Sequence, residues 1–126
     1  MYNQVRQKKL LIIEDDANIL SILDLIFSEE GYKVVLSETG SDSERLSEIK
    51  PDLILLDLRL STLGREGAEI CLRLKSQPVT AFIPIILLSA ERDIQQICQN
   101  CGADDYMAKP FDIEQLSGMV KELVLK

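Results

Sequence analysis

Short apolar runs alternate along this chain with longer stretches in which apolar residues recur at helical spacing. Leu10 to Ile13 is a continuous apolar run that stops at Glu14-Asp15-Asp16. Ile19, Ile22, Leu23, Ile26 and Phe27 then form a helical stripe, closed by Gly31. Lys33 to Leu36 reads as a second, more polar strand, and Ser43 to Ile49 as a weak helix ended by Pro51. Leu53 to Leu56 is a third apolar run, stopping at Asp57. A polar, glycine-containing loop leads to a helix from about Ala68 to Lys75. Ile83 to Leu88 is the fourth run, stopping at Ser89. Ile94, Ile97, Cys98 and Cys101 make one face of a helix that Gly102 closes. Tyr106 to Ala108 is a short fifth strand ending at Lys109-Pro110. Asp112 caps a last helix with an inner face of Ile113, Leu116, Val120, Leu123 and Val124.

The pattern is strand then helix, five times over. Continuous apolar strands are buried on both faces, which a parallel sheet between two helix layers requires. Right-handed crossovers then predict a doubly wound α/β sheet with helices on both faces. The 126 residues suit one domain, with a polar arm at 1–6 and the folded unit at 7–126. There is no internal repeat, low-complexity tract or linker.

Composition narrows the function. With 46% apolar and 28% charged residues, the chain reads as globular and not disordered. Its net charge of −7 repels phosphate backbones and anionic headgroups, which argues against direct nucleic-acid binding and against membrane binding. No apolar stretch approaches the ~18 residues of a membrane span. The first residues, MYNQVRQKK, lack the apolar core of a signal peptide, so a cytoplasmic location is expected. Three cysteines without a secretory signal do not read as a disulfide framework.

In a doubly wound sheet, ligands bind beyond the carboxyl ends of the strands. There the chain places Glu14 and Asp15, Asp57, Ser89 and Lys109. Crowded carboxylates repel one another in a partly desolvated site, and a divalent cation relieves them. An all-oxygen donor set suits Mg²⁺. A carboxylate can also be a nucleophile and form an aspartyl phosphate, with the metal and a lysine neutralising the transferring oxygens.

These motifs resemble the receiver domains of response regulators. The resemblance runs from about Gln7 to the C-terminus and rests on LLIIEDD, PDLILLDL, IPIILLSA and GADDYMAKPF, four pieces in the right order and spacing. It implies the flavodoxin-like strand order 2-1-3-4-5. It also implies a phosphoacceptor in a two-component or phosphorelay system, taking its phosphoryl group from a histidine kinase or His-phosphotransfer protein. Such a domain catalyses only its own phosphorylation and dephosphorylation. By resemblance, Asp57 is the phosphorylated residue, Asp15 the direct metal ligand and Glu14 its partner acting partly through water. Arg59 lends a backbone carbonyl to the metal. Ser89 and Lys109 contact the phosphoryl group, and Tyr106 is the aromatic switch residue. Lys109-Pro110 resembles the family's cis peptide. The output is a downstream effector or a self-dimer on the face of helix 4, strand 5 and helix 5. Arg59 and Glu91, two residues after Asp57 and Ser89, flank the path of the hydrolytic water and tune lifetime. The family's proline four residues after the aspartate is Ser61 here, and the matching glycine is Gly67, two residues late. The loop from Leu60 to Glu66 is therefore expected to be longer and more mobile.

Other readings compete. A Glu-Asp-Asp run is often only a solvated helix start. Cys98 and Cys101 lie at a helix C-terminus, not at the N-terminus where a dipole activates thiols, so they and Cys71 read as core. With no histidine, a zinc site of familiar composition is not available, and the chain cannot itself be a histidine phosphodonor. An Asp-nucleophile phosphatase needs an acid where Arg59 stands. A flavin site conflicts with the acidic run. A phosphorylation-independent docking module does not need the intact acidic pair, Asp57, Ser89 and Lys109.

Overall fold

The computed structural model describes residues 7–60 and 66–125. The polar arm at 1–6 and the centre of the Leu60 to Glu66 loop, including Ser61, lie outside the described residues. Five parallel strands form one sheet in the order β2-β1-β3-β4-β5. They are β1 Lys9–Ile13, β2 Lys33–Ser37, β3 Leu53–Asp57, β4 Ile85–Ser89 and β5 Asp105–Ala108. The helices are α1 Ala17–Glu29, α2 Leu46–Ile49, α3 Glu66–Lys75, α4 Ile94–Cys101 and α5 Ile113–Val124. The expected doubly wound α/β fold is the observed one.

Strand alternation builds two cores. Leu11, Ile13, Ile54, Leu56, Ile85 and Leu87 face one side, where α2, α3 and α4 pack. Leu10, Ile12, Leu53, Leu55, Ile86 and Leu88 face the other, where α1 and α5 supply Leu20, Leu23, Phe27, Leu116 and Val120. Burying one such side chain contributes roughly 1.5–3 kcal/mol, so these two layers hold the sheet and fix its upper rim.

Three sequence expectations need correction. Ile22 is 52% exposed, and Leu20 takes its place in the core. The segment carries two overlapping apolar stripes at legal helical spacing, and periodicity alone does not choose between them. The weak helix after β2 splits into a 3₁₀ turn, Ser41–Glu44, and the single turn of α2. The fourth strand starts at Ile85, not Ile83, since Pro84 has no N–H to pair and Ile83 closes a turn on Thr80.

The expected cap at Asp112 is present, its Oδ1 accepting the N–H groups of Glu114 and Gln115 at 2.8 and 3.1 Å, and the structure adds a second at Asp16, whose Oδ1 accepts those of Asn18 and Ile19 at 2.9 and 3.2 Å. Gly102 ends α4 at φ +80°, a left-handed conformation in which a side chain is strained.

Candidate functional site

The run Glu14-Asp15-Asp16 is divided by the end of β1. Glu14 continues the strand direction, its N–H bound to the Ser37 carbonyl at 3.0 Å, and its side chain is fully buried. Asp15 is exposed, and Asp16 turns back to cap α1. Asp57, the last residue of β3, is buried between β1 and β4. Ser89, the last residue of β4, is also buried, and Lys109 follows β5.

These strand ends converge on one cavity of about 630 Å³, lined by Glu14, Asp15, Asp16, Ile19, Asp57, Arg59, Ser89, Ala90, Glu91 and Lys109. Carboxylate oxygens of Glu14, Asp15 and Asp57 lie within 4.8 Å of one another. Lys109 Nζ donates to Glu14 Oε1 and Oε2 at 3.0 and 3.2 Å and to Asp57 Oδ1 at 3.1 Å. One ammonium thus faces two buried acids, with a third acid beside them.

The charges respond to that imbalance. Burial pushes Glu14 up to about 7, the Lys109 hydrogen bond pulling it down and the neighbouring Asp57 charge adding to the rise. Burial also raises Asp57, against the opposing pull of Lys109. For Lys109, burial works against the charged form, but Glu14 and Asp57 outweigh it and hold the amine above its usual range. The site carries more negative charge than its lysine neutralises, and its donors are hard oxygens. That donor set fits a small divalent cation such as Mg²⁺.

Around this centre, Ser89 Oγ accepts the N–H of Glu91 at 2.9 Å, the short turn that a serine forms at a loop start. Glu91 Oε1 accepts a hydrogen bond from Arg59 Nε at 2.6 Å and makes an ion-pair contact with Nη2 at 2.6 Å. Ser89 and Arg59 are thereby linked through one residue at the mouth of the cavity. Tyr106 is not in the cavity. It is half-buried on β5, opposite Leu87, packed on the α2–α3–α4 side of the sheet. The Lys109-Pro110 peptide is cis.

Sequence reasoning did not explain Gly67. At the first turn of α3, its N–H binds the Leu58 carbonyl at 2.9 Å. A Cβ there meets the Asp57 carbonyl oxygen and, at 2.8 Å, the Leu58 Cα. Glycine lets α3 press directly on the backbone that aims Asp57. The detectable signal was a glycine just inside a helix, where it otherwise costs stability.

Comparison with known proteins settles the family. A family profile described as the response regulator receiver domain matches residues 10–121. The chain belongs to that family. This receiver is 37% identical over 119 residues to the DNA-binding dual master transcriptional regulator RpaA of Synechocystis, covering 92% of this chain and 48% of that protein. It is 34% identical over 120 residues to the alkaline phosphatase synthesis transcriptional regulatory protein PhoP of Bacillus subtilis, covering 93% of this chain and 48% of that protein. The receiver thus spans about half the length of these relatives. Among solved structures, a putative response regulator from Chloroflexus aurantiacus superposes with a TM-score of 0.85 at 30% identity, covering 96% of this chain and 100% of that one. The signal receiver domain of a signal transduction histidine kinase from Syntrophus aciditrophicus gives 0.82 at 33% identity, covering 93% and 89%. Receivers are regulatory domains of two-component systems, and this chain carries their fold and their acidic cavity.

Proposed function

We propose that this receiver is a Mg²⁺-dependent phosphoacceptor whose Asp57 takes a phosphoryl group from a phosphohistidine of a histidine kinase or phosphotransfer protein. One observation carries the reading. Asp57 sits at the floor of an open cavity with a lysine 3.1 Å from its Oδ1 and two further carboxylates within 4.8 Å. A structural ion pair needs one acid, not three.

Asp57 is oriented from three sides: by its place in β3, by Gly67 packed beneath its backbone, and by Lys109. A carboxylate oxygen attacks phosphorus; the new P–O bond forms as the P–N bond to the donor imidazole breaks, and the imidazole leaves with a proton. Lys109 then pairs with a phosphoryl oxygen, shifting part of its hydrogen bonding away from Asp57. The Ser89 oxygen accepts from Glu91, so its own hydroxyl proton is available to a second phosphoryl oxygen. Glu14, Asp15, Asp57 and the Arg59 carbonyl would hold Mg²⁺, which supplies electrostatic stabilisation of the transferring oxygens.

The switch follows from the same contacts. A phosphoryl group adds about −1.5 to −2 charge, and drawing Ser89 toward it pulls on Glu91 and the loop before α4. Tyr106 then moves on the far side of β4. The face of α4, β5 and α5 changes with it and alters binding to an effector or a second copy. The net charge of −7 leaves nucleic acid outside this chain's own partners. A cytoplasmic location fits this reading. Among the described residues no helix is long and apolar enough to cross a membrane.

The test is incubation with acetyl phosphate and Mg²⁺, then intact mass and mapping of the modified residue. Stoichiometric labelling at Asp57 is expected; labelling elsewhere overturns the reading. With beryllofluoride and Mg²⁺, amide shifts are expected to extend from Ser89 to α4, β5 and α5. Shifts confined to the cavity contradict the switch.

A further inference from the structure

The outermost strands of the sheet, β2 and β5, are finished differently. β5 is the shorter of the two, opens on an aspartate, and has its Tyr106 N–H taken by the Asp105 carboxylate at 2.8 Å. Sheets blunt their outer strands in such ways, because an open strand is a template for another. β2 carries none of these devices. It reads Lys-Val-Val-Leu-Ser, with no proline, and its register against β1 runs without a bulge. Lys33, its first residue, is its one charge.

The β2 backbone shows what is left open. Along a strand, successive residues turn their N–H and C=O groups to opposite sides. The Lys33 N–H donates to the Lys8 carbonyl at 2.8 Å, and the Ser37 carbonyl accepts from the Glu14 N–H at 3.0 Å. Lys33, Val35 and Ser37 therefore turn toward β1. Val34 and Leu36 turn their backbone groups the other way. No strand lies there, and nothing takes those groups among the described residues. Leu36 is 39% exposed, and Val34 and Val35 are half-buried, whereas β3 and β4 are buried throughout.

We propose that β2 is a dimerisation strand, which pairs antiparallel with β2 of a second copy about a two-fold axis at Val35. The spacing of the open groups selects this occupant. With Val35 opposite Val35, Val34 of each copy stands opposite Leu36 of the other. Each of these is a hydrogen-bonded pair, which exchanges both N–H···O bonds. Every open group of both strands is then satisfied. Sliding the register by two residues instead sets an open residue against Tyr32 or Glu38, outside the strand. The side chains match in the centred register as well. Directly opposite residues lie on one face, so the exposed Leu36 meets Val34 of the second copy. Lys33 meets Ser37 and no like charge. Because the same patch serves both copies, the contact closes on itself and does not propagate into a filament.

The pairing goes beyond the phosphoacceptor reading and does not depend on it. β2 and β5 bound opposite sides of the sheet, so the face of α4, β5 and α5 stays free in both copies. The antiparallel arrangement also sends the two Asp57 cavities to opposite ends of the joint sheet. One dimer carries two separate acceptor sites, each open to its own donor.

The test uses the full, unphosphorylated chain without metal. The Val34 and Leu36 amides are expected to exchange freely in dilute solution and about tenfold or more slowly at the top of about a hundredfold concentration range, in step with dimer formation by sedimentation. Leu36→Pro removes an outward N–H and no bond to β1, so it is expected to fold and to stay monomeric. Leu36→Ala keeps that N–H and is expected to dimerise more weakly while still protecting Val34. If the proline variant folds poorly, exchange in wild type still decides. A wild-type chain that stays monomeric throughout, a dimer that leaves Val34 and Leu36 unprotected, or one whose contacts centre on α4, β5 and α5 overturns the proposal. Protection gained only on adding an unrelated extended peptide also overturns it, since β2 then receives another chain and not its own copy.

Discussion

The two edges of the sheet each hold lysines against acids, and they are built on opposite principles. At the edge where the strands begin, Lys75 Nζ sits 2.6 Å from Asp104 and donates to the Ala81 and Ile83 carbonyls at 3.0 and 2.7 Å. Asp104 accepts the Ile85 N–H at 2.8 Å. Lys9 Nζ donates to the Ile49 carbonyl at 2.6 Å, and Asp52 accepts the Lys9 N–H at 2.8 Å. Each charge there tethers the start of one strand to a neighbouring segment. At the other edge, Lys109 faces Glu14 and Asp57 together, with Asp15 close by, and burial pushes Glu14 and Asp57 above their ordinary range. Cavity size does not tell the edges apart. The lower edge also holds one of about 630 Å³, lined by Leu46, Lys50, Pro51, Phe82 and Ile83 among others. Charge does: a matched pair fastens structure, whereas a surplus of buried acid is a standing cost that the fold tolerates where a ligand relieves it.

The comparison breaks most sharply at Asp57. Asp57→Asn keeps the shape of the side chain and removes the nucleophilic charge. Labelling by acetyl phosphate is expected to disappear while circular dichroism and melting stay near wild type. Persistent stoichiometric labelling at another residue would show that the surplus at this edge has a different purpose.

Asp15→Ala removes the exposed third acid. Mg²⁺ affinity, followed by NMR shifts, is expected to fall by about tenfold or more, as the site loses one of its few charged donors. Equal affinity in the two proteins means that Asp15 is not a ligand.

The lysines give the direct contrast. Lys75→Met leaves Asp104 without its cation and is expected to cost about 1–3 kcal/mol, read by denaturant titration. Lys109→Met also destabilises the metal-free protein, because two buried acids lose the ammonium that binds them both. Mg²⁺ should recover part of that second loss and none of the first. Recovery in both variants, or in neither, removes the distinction between a fastening edge and a ligand-binding one.

Much of this was readable in the residues. Four apolar runs, each stopping at a chemically distinctive residue, gave the strands and placed Glu14, Asp57, Ser89 and Lys109 on one edge without coordinates. What sequence could not give were choices between equal patterns. Ile22 and Leu20 both fit the spacing of α1, and only packing against the sheet selects Leu20. The third acid of the run, Asp16, has the composition of a ligand and the job of a cap. Gly67 matched the family's glycine out of register, but the reason a side chain is barred there is the approach of α3 to β3, a contact between distant segments. The same holds for Cys71, which reads alone as a core residue and whose thiol meets the Cys101 carbonyl oxygen only where α3 packs on α4.

The smallest expected effect tests the rim of the site. Arg59 and Glu91 carry opposite charges, and their side chains join at the cavity mouth by a hydrogen bond from Nε to Oε1 at 2.6 Å and an ion-pair contact from Nη2 to the same oxygen at 2.6 Å. The Arg59 side chain is 60% exposed, so the pair adds at most about 1 kcal/mol to stability. Its leverage is on geometry. Water must approach an acyl phosphate on Asp57 in line with the bond that breaks, and a bridge over the cavity occupies that approach. Glu91 is further tied by its N–H to Ser89 Oγ, so the bridge is held by the residue proposed above to contact the phosphoryl group. Arg59→Ala and Glu91→Ala are each expected to speed autodephosphorylation by about threefold to tenfold, with little change in melting. Because each side chain blocks water only while the other holds it, the double mutant should be no faster than about the faster single mutant. Strictly additive effects, or slower loss in both single mutants, would mean that the bridge closes over nothing and that the upper edge ends at its acids.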